Sequence, residues 1–347
     1  MIATLTRRGV LLGSGGVLVA CAPLFARAAP VVFFPLFDGH VHLVADDLKT
    51  FPRVAAGPPP PAGARPGGGG LPPGVGGQPG GKSGNTRRAD PDVERVVLWM
   101  AEQGIEAIAA VQKRGTYGLD NRYIIASSDK YPAKLAPVVV LDAEDARTPD
   151  TMRELVRDHG LAGLRLTGGA ATDGSFPWLN SPRALSAWTV AEQTGLVMDL
   201  MITAVGRSSQ AVDAYIALAQ KYPSTRLVLD HVGYPNVAGA PDYGIDATHQ
   251  RLAQQKNIYF KVSTINFDLL RNAGIPEAAF VQRTVDVYGA DHVLWGSDLG
   301  NSAGSYAELS ARMKRNVAML SDAQQHAVLH DTGRSVFVRG GTRGLST

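Results

Sequence analysis

Three of the eight histidines in this 347-residue chain fall where a short apolar run ends. His40-Val41-His42 closes the first such run, and Asp230-His231 closes a later one. Side chains alternate between the two faces of a strand, so residues i and i+2 point the same way. His40 and His42 therefore present two imidazoles on one face, a pair suited to a divalent cation or an anionic substrate group. Asp298, after Leu294-Trp295-Gly296-Ser297, puts a carboxylate at the end of another apolar run. Basic residues close or interrupt three more: Gln112-Lys113-Arg114, Arg165, and Lys261 among apolar neighbours. Plainer readings stand beside these: core histidines, an aspartate that caps a turn, a lysine paired with a neighbouring acid, an arginine in solvent.

What must position these residues is a regular alternation of apolar runs and helical periodicity. The runs cover 31–37, 105–111, 135–141, 161–166, 196–202, 226–229, 258–262 and 292–295. Helical patterns fall at 91–103, 119–130, 148–160, 181–194, 208–221, 246–255, 276–288 and after 304. Asp90-Pro91-Asp92 marks the start of the first helix and Gly104 its stop. Near-continuous apolar strands joined by helices imply a parallel sheet buried on both faces. Eight such units in about 300 residues suit a (β/α)8 TIM-type barrel, with a doubly wound open sheet as the alternative. No G-x-G-x-x-G follows a strand, so a dinucleotide site has little support. In a barrel the strand C-termini share one face, and closure makes the first and last strands neighbours. That closure would bring His40 and His42 to Asp298.

Composition narrows the classes further. A single cysteine excludes an intrachain disulfide and a thiolate-rich metal centre. Lys and Arg number 34 against 31 acids, too weak a bias for a nucleic-acid partner. Arg7, Arg8 and Arg27 supply that excess, and no acid lies among the first 28 residues. Arg7-Arg8 precedes an apolar stretch to about Ala20, too short to span a bilayer, and Ala26-Arg27-Ala28 follows as a cleavage pattern. Residues 1–28 are thus read as a twin-arginine-type export signal, with a Sec-type signal as the alternative, and 29–347 as the barrel. That places the mature protein in the periplasm or otherwise outside the cytoplasm, with the export machinery as a partner. Leu18-Val19-Ala20-Cys21 is similar to a lipobox, which would instead anchor the chain through Cys21. Residues 57–84 are mostly Gly and Pro. Such a segment cannot repay its ordering entropy and is expected to be a disordered loop inserted after the first strand.

Taken in order, Asp38-Gly39-His40-Val41-His42, Tyr117-Gly118-Leu119-Asp120-Asn121, Gly160-Leu161-Ala162-Gly163-Leu164-Arg165-Leu166, Leu229-Asp230-His231-Val232-Gly233, Asn257-Ile258-Tyr259-Phe260-Lys261-Val262-Ser263 and Leu294-Trp295-Gly296-Ser297-Asp298 resemble the amidohydrolase-related hydrolases. The resembling branch holds sugar-acid lactonases and 2-pyrone-4,6-dicarboxylate lactonase. The resemblance implies that Asp298 activates the attacking water and then protonates the leaving oxygen. It implies that His40 and His42 polarise the carbonyl, directly or through a zinc or manganese ion shared with Asp298, and that His231 stabilises the oxyanion. Arg165, Arg114 and Lys261 become candidates for holding a substrate carboxylate, with Gln112 and Asn121 as further candidates.

Two departures bear on the metal. Met201 stands where metal-dependent relatives carry a histidine, and a thioether is a poor zinc ligand. Arg165 stands where two-metal relatives carry a bridging lysine, so a two-metal centre is not expected. Metal-independent catalysis therefore stays open beside a single ion. Leu299-Gly300-Asn301 also departs from the family pattern and would reshape the pocket. The expectation is an exported hydrolase that opens a lactone or related ester of a small carboxylated acid. A decarboxylase or hydratase is the alternative within the superfamily, and a barrel that binds a ligand without turnover is the alternative outside it.

Overall fold

The computed structural model describes residues 34–54, 90–203 and 208–338. The expected export signal (1–28, with Cys21) and the Gly/Pro-rich segment (57–84) lie outside the described residues.

Among the described residues eight strands pair in chain order, each parallel to the next. They are β1 (Leu36–Val41), β2 (Ile105–Val111), β3 (Leu135–Val140), β4 (Gly163–Gly168), β5 (Val197–Ile202), β6 (Leu227–Leu229), β7 (Ile258–Ser263) and β8 (Val293–Gly296). The seam between β8 and β1 closes just beyond β8: Asp298 N–H donates to His40 O at 2.9 Å, and His42 N–H donates to Leu299 O at 2.9 Å. A sheet whose first and last strands meet is a TIM-type barrel, not the open doubly wound sheet.

Helices cover the outside: α1 (Val93–Gln103), α2 (Arg122–Lys130), α3 (Thr148–His159), α4 (Ala184–Thr194), α5 (Val212–Lys221), α6 (Thr264–Asn272), α7 (Glu277–Tyr288) and α8 (Tyr306–Val317). The Asp92 carboxylate caps α1 by accepting Glu94 N–H, and Gly104 ends it at φ +70°, a left-handed turn that glycine adopts without penalty. Between strands and helices lies the apolar core, with Trp188, Phe280 and Met100 fully buried.

The expected helix over 246–255 is two short turns, Ala247–Gln250 and Arg251–Gln254, and two further differences from the sequence reading bear on the site. The first strand begins at Leu36, so His40 lies inside β1 and His42 one residue beyond it. α6 follows β7 without a break and was not anticipated. Its start is a capping box in which the side chains of Ser263 and Asn266 satisfy each other's backbone N–H groups. Asn at the third helical position is a weaker sequence signal than the Glu or Gln that usually marks the motif.

Candidate active site

β1 and the turn after β8 bring His40, His42 and Asp298 together. The approach is close: a Cβ on Gly296 would sit 2.6 Å from His40 Cβ, so only glycine fits there. Asp298 is held at φ +55°, a region that Asp enters more readily than most residues. Its Oδ2 accepts hydrogen bonds from Asn301 Nδ2 and Ser302 Oγ, each at 3.0 Å. Its Oδ1 is buried without a hydrogen-bond partner and faces His40 Nε2 at 3.6 Å and His42 Nε2 at 3.5 Å. The two Nε2 atoms are 3.2 Å apart.

His42 Nδ1 lies 2.9 Å from Val111 O. A carbonyl only accepts, so Nδ1 carries the proton and the Nε2 lone pair faces the site. Burial pushes all three site histidines down, against the pull of neighbouring carboxylates, and His231 falls to about 4. They are neutral at pH 7. Burial raises the Asp298 carboxyl, but the neighbouring His42, His40 and His231 rings outweigh it and hold the group well below its usual range. Asp298 is therefore a carboxylate at neutral pH.

A buried charge network lies beneath. Lys261 Nζ sits 3.0 Å from both carboxylate oxygens of Asp199, 2.7 Å from Asp230 Oδ1 and 3.0 Å from His40 Nδ1. Arg165 donates from Nε to Asp230 Oδ2 at 2.9 Å and from Nη2 to Met201 Sδ at 3.0 Å. Two cations thus meet two carboxylates inside the barrel, the condition under which buried charge is tolerated. Burial raises Asp230, but Lys261 and Arg165 outweigh it and hold the carboxyl well below its usual range.

His231 stands on an unusual turn. Residues 231–234 all have positive φ, between 55° and 72°. Val232 in that region is a genuine outlier for a β-branched side chain. Asn266 Nδ2 donates to His231 O at 2.8 Å, and Ser263 Oγ lies 2.6 Å from His231 Nδ1. Both partners come from the β7–α6 junction.

A cavity of about 180 Å³ opens over Asp298, His42 and His231, with Lys113, Arg114 and Arg165 in its wall. The structure thus brings together six of the residues singled out in the sequence: His40, His42, His231, Asp298, Arg165 and Arg114. Three others lie outside the cavity lining. Lys261 is fully buried in its ion pairs below the cavity and does not reach a substrate. Gln112 Nε2 donates to Gly118 O and Asp120 O, fixing the loop after β2. Asn121 exchanges hydrogen bonds with the backbone of Val140 at the end of β3. All three lie at or near strand ends; Lys261 and Asn121 spend their polar atoms on the scaffold, whereas Gln112 Oε1 is buried without a hydrogen-bond partner. Asp199 sits opposite Arg165 within β5, against Lys261. Lys113 and Tyr234, which also line the cavity, were not assigned from sequence. The signal available was adjacency, Lys113 to Arg114 and Tyr234 to the Asp230-His231-Val232-Gly233 stretch.

The donor set fits one divalent cation. Ligands about 2.0–2.2 Å from a tetrahedral ion lie roughly 3.3–3.5 Å from each other, and the triangle His40 Nε2, His42 Nε2, Asp298 Oδ1 has edges of 3.2, 3.5 and 3.6 Å. Two neutral imidazoles and an otherwise unpartnered carboxylate oxygen are the ligand chemistry that zinc takes. Met201 lines the same cavity, engaged with Arg165.

A closed parallel barrel with paired histidines at the end of β1 and an aspartate after β8 is a TIM-type barrel with its polar cluster at the strand C-termini. The sequence profile of the amidohydrolase family matches residues 37–338, and the chain belongs to that family of enzymes. Over 221 residues it is 25% identical to the L-fucono-1,5-lactonase of Burkholderia ambifaria, covering 61% of this chain and 71% of that protein. Its fold is similar to a Pseudomonas putida structure assigned as a 2-pyrone-4,6-dicarboxylic acid hydrolase. That match has TM-score 0.62 and 18% identity, and covers 88% of this chain and 98% of the other. It is also similar to 2,6-dihydroxybenzoate decarboxylase from Rhizobium, with TM-score 0.52 and 15% identity over 73% of this chain and 88% of the other.

Proposed function

We propose that this enzyme hydrolyses a lactone or related ester of a small carboxylated acid, and that the Arg7-Arg8 segment exports it from the cytoplasm. The observation that carries the chemistry is the buried, unpartnered Oδ1 of Asp298 at the floor of a cavity walled by three basic side chains. Such an oxygen is an acceptor waiting for a proton. Arg114, whose Nη1 is tied to Thr167, and Arg165 give the wall planar donors suited to a substrate carboxylate. The similarity to a sugar-acid lactonase supports the ester class.

Water on the cavity floor attacks the carbonyl carbon and passes a proton to Asp298 Oδ1. In the tautomer whose Nδ1 accepts from Ser263 Oγ, His231 carries its proton on Nε2 and donates it toward the developing oxyanion. The ring C–O bond then breaks, and Asp298 returns the proton to the leaving alkoxide. A carboxyl held below its usual range makes the first transfer harder and the second easier. His40, His42 and Asp298 would hold a zinc or manganese ion, which when bound supplies polarisation of the carbonyl and a more acidic water.

The test is an assay of the full chain against a panel of lactones with and without carboxylate groups, including L-fucono-1,5-lactone and 2-pyrone-4,6-dicarboxylate, reading both ring opening and carbon dioxide. Ring opening that favours the carboxylated members is the expected result. Carbon dioxide release without ring opening would replace this reading with a decarboxylase, and turnover of neither kind would remove it.

A further inference from the structure

His40 Nδ1 faces two partners that it cannot satisfy together. Lys261 Nζ is 3.0 Å away and can only donate, so that hydrogen bond needs a bare Nδ1. Asp230 Oδ1 is 3.1 Å away and can only accept, so that bond needs a proton on Nδ1. Both partners are fully buried and fixed to each other at 2.7 Å, so neither moves aside at small cost. The opposite nitrogen feels the same choice. His42 Nε2 is bare, because its Nδ1 proton goes to Val111 O. When His40 is protonated on Nε2, that proton is donated to His42 Nε2 across 3.2 Å. When His40 is protonated on Nδ1, two lone pairs confront each other over the same gap, a repulsion that a cation between them removes.

We propose that Lys261 and Asp230 form a two-position cradle that hands the His40 ring between tautomers: proton on Nε2 when the site holds no metal, proton on Nδ1 when His40, His42 and Asp298 hold one. The inference rests on the metal reading of that triad. Each arrangement satisfies its own hydrogen bonds. Without metal, the chain runs Lys261 to His40 Nδ1, His40 Nε2 to His42 Nε2, and His42 Nδ1 to Val111 O. With metal, His40 Nδ1 donates to Asp230, and Lys261 keeps Asp199 and Asp230. The proton count is the same in both, so the change is a tautomer shift and not a titration. Lys261 is thus a positioning residue for His40. It sets how strongly the empty site competes with the loaded one, since orienting partners of a ligating histidine typically shift metal affinity by about 10–100-fold.

The experiment is long-range proton–nitrogen NMR of the full chain labelled with ¹⁵N-histidine, before and after one equivalent of Zn²⁺, with His40→Gln and His42→Gln used only to assign the rings. The expected result is His40 as the Nε2–H tautomer without zinc and the Nδ1–H tautomer with it, while His42 stays Nδ1–H and its Nε2 shifts on metal binding. A metal-free His40 already in the Nδ1–H form would overturn the cradle. So would a His40 that keeps its Nε2 proton while His42 responds to zinc. If neither ring responds, the metal reading falls and takes the switch with it, a result separable from the other two. A charge-balanced Asp199→Asn/Lys261→Met variant adds a second readout: metal-free His40 moves to Nδ1–H and zinc binds about tenfold more tightly. Unchanged tautomer and affinity in a folded variant would remove Lys261 from the role.

Discussion

The Asp38 carboxylate accepts the backbone N–H of Ser297 at 2.8 Å, joining β1 to the end of β8 across the seam of the barrel. The same Oδ1 accepts His40 N–H at 3.0 Å, and Oδ2 accepts the hydroxyl of Tyr306, on α8, at 2.9 Å. One side chain therefore does the work of a strand ladder at the place where catalytic geometry depends on closure. Asp38→Ala strands three buried donors, at about 1–3 kcal/mol each. Denaturant unfolding should show a loss of roughly 3–9 kcal/mol. A loss under about 1 kcal/mol would mean that the backbone pairing beyond β8 holds the seam unaided.

Asp298→Asn separates chemistry from folding. The amide oxygen can take over the hydrogen bonds from Asn301 and Ser302, which turns the amide NH₂ toward His40 and His42. The fold should survive, with a melting temperature within a few degrees of wild type. Turnover should drop by about a thousandfold or more, the scale of losing a positioned acid–base group and its electrostatics. Bound zinc measured by elemental analysis should fall to background, because an amide nitrogen then faces the site. A folded variant with full activity would remove Asp298 from the mechanism.

His231 gives the pH dependence a definite sign. Burial drives its folded-state value to about 4, while an exposed histidine titrates near 6.5. The unfolded chain therefore binds a proton first as pH falls, and the stability present above 6.5 is lost between about 6.5 and 4. At pH 5 that loss is about 2 kcal/mol from this ring alone. Unfolding free energies of wild type and His231→Gln at pH 7.5 and 5.0 should differ in pH dependence by about that amount, with the variant shallower. Parallel curves would mean that the ring titrates in the folded protein as it does in the unfolded chain.

Much of this arrangement is legible in the sequence because it follows from local periods. Alternation of side chains along a strand places His40 with His42, and eight apolar runs separated by helices imply the closure that delivers Asp298. Pairing over long separations leaves no such mark. Lys261 and Asp199 are 62 positions apart, and only their strands' places in the barrel show that each neutralises the other. A lone charge in an apolar run reads equally as a substrate contact or as half of an ion pair, which is how Lys261 entered the candidate set. Gln112 and Asn121 are ambiguous for a related reason: a strand end supplies both cavity walls and the backbone groups that need side-chain partners. Tyr234 was passed over because nothing local announces four successive left-handed residues when only Gly233 among them is a glycine.

That run gives Tyr234 its exposure to the cavity. Its ring sits 4.7 Å from that of His231, and its hydroxyl has no hydrogen-bond partner among the described residues. Burial, reinforced by the charges of Asp298 and Asp230, pushes the phenol well above 10, so it is a neutral donor throughout the working pH range. Tyr234→Phe keeps the ring and its packing and removes only that donor. Because no protein bond is lost, the denaturation midpoint should not move. A hydrogen bond to substrate is worth about 1–1.5 kcal/mol, so kcat/KM should fall by roughly tenfold. A fall in kcat with KM unchanged would assign the bond to the transition state, and a rise in KM alone would assign it to ground-state binding. A Phe variant with wild-type kinetics would leave the residue only the shape of the pocket.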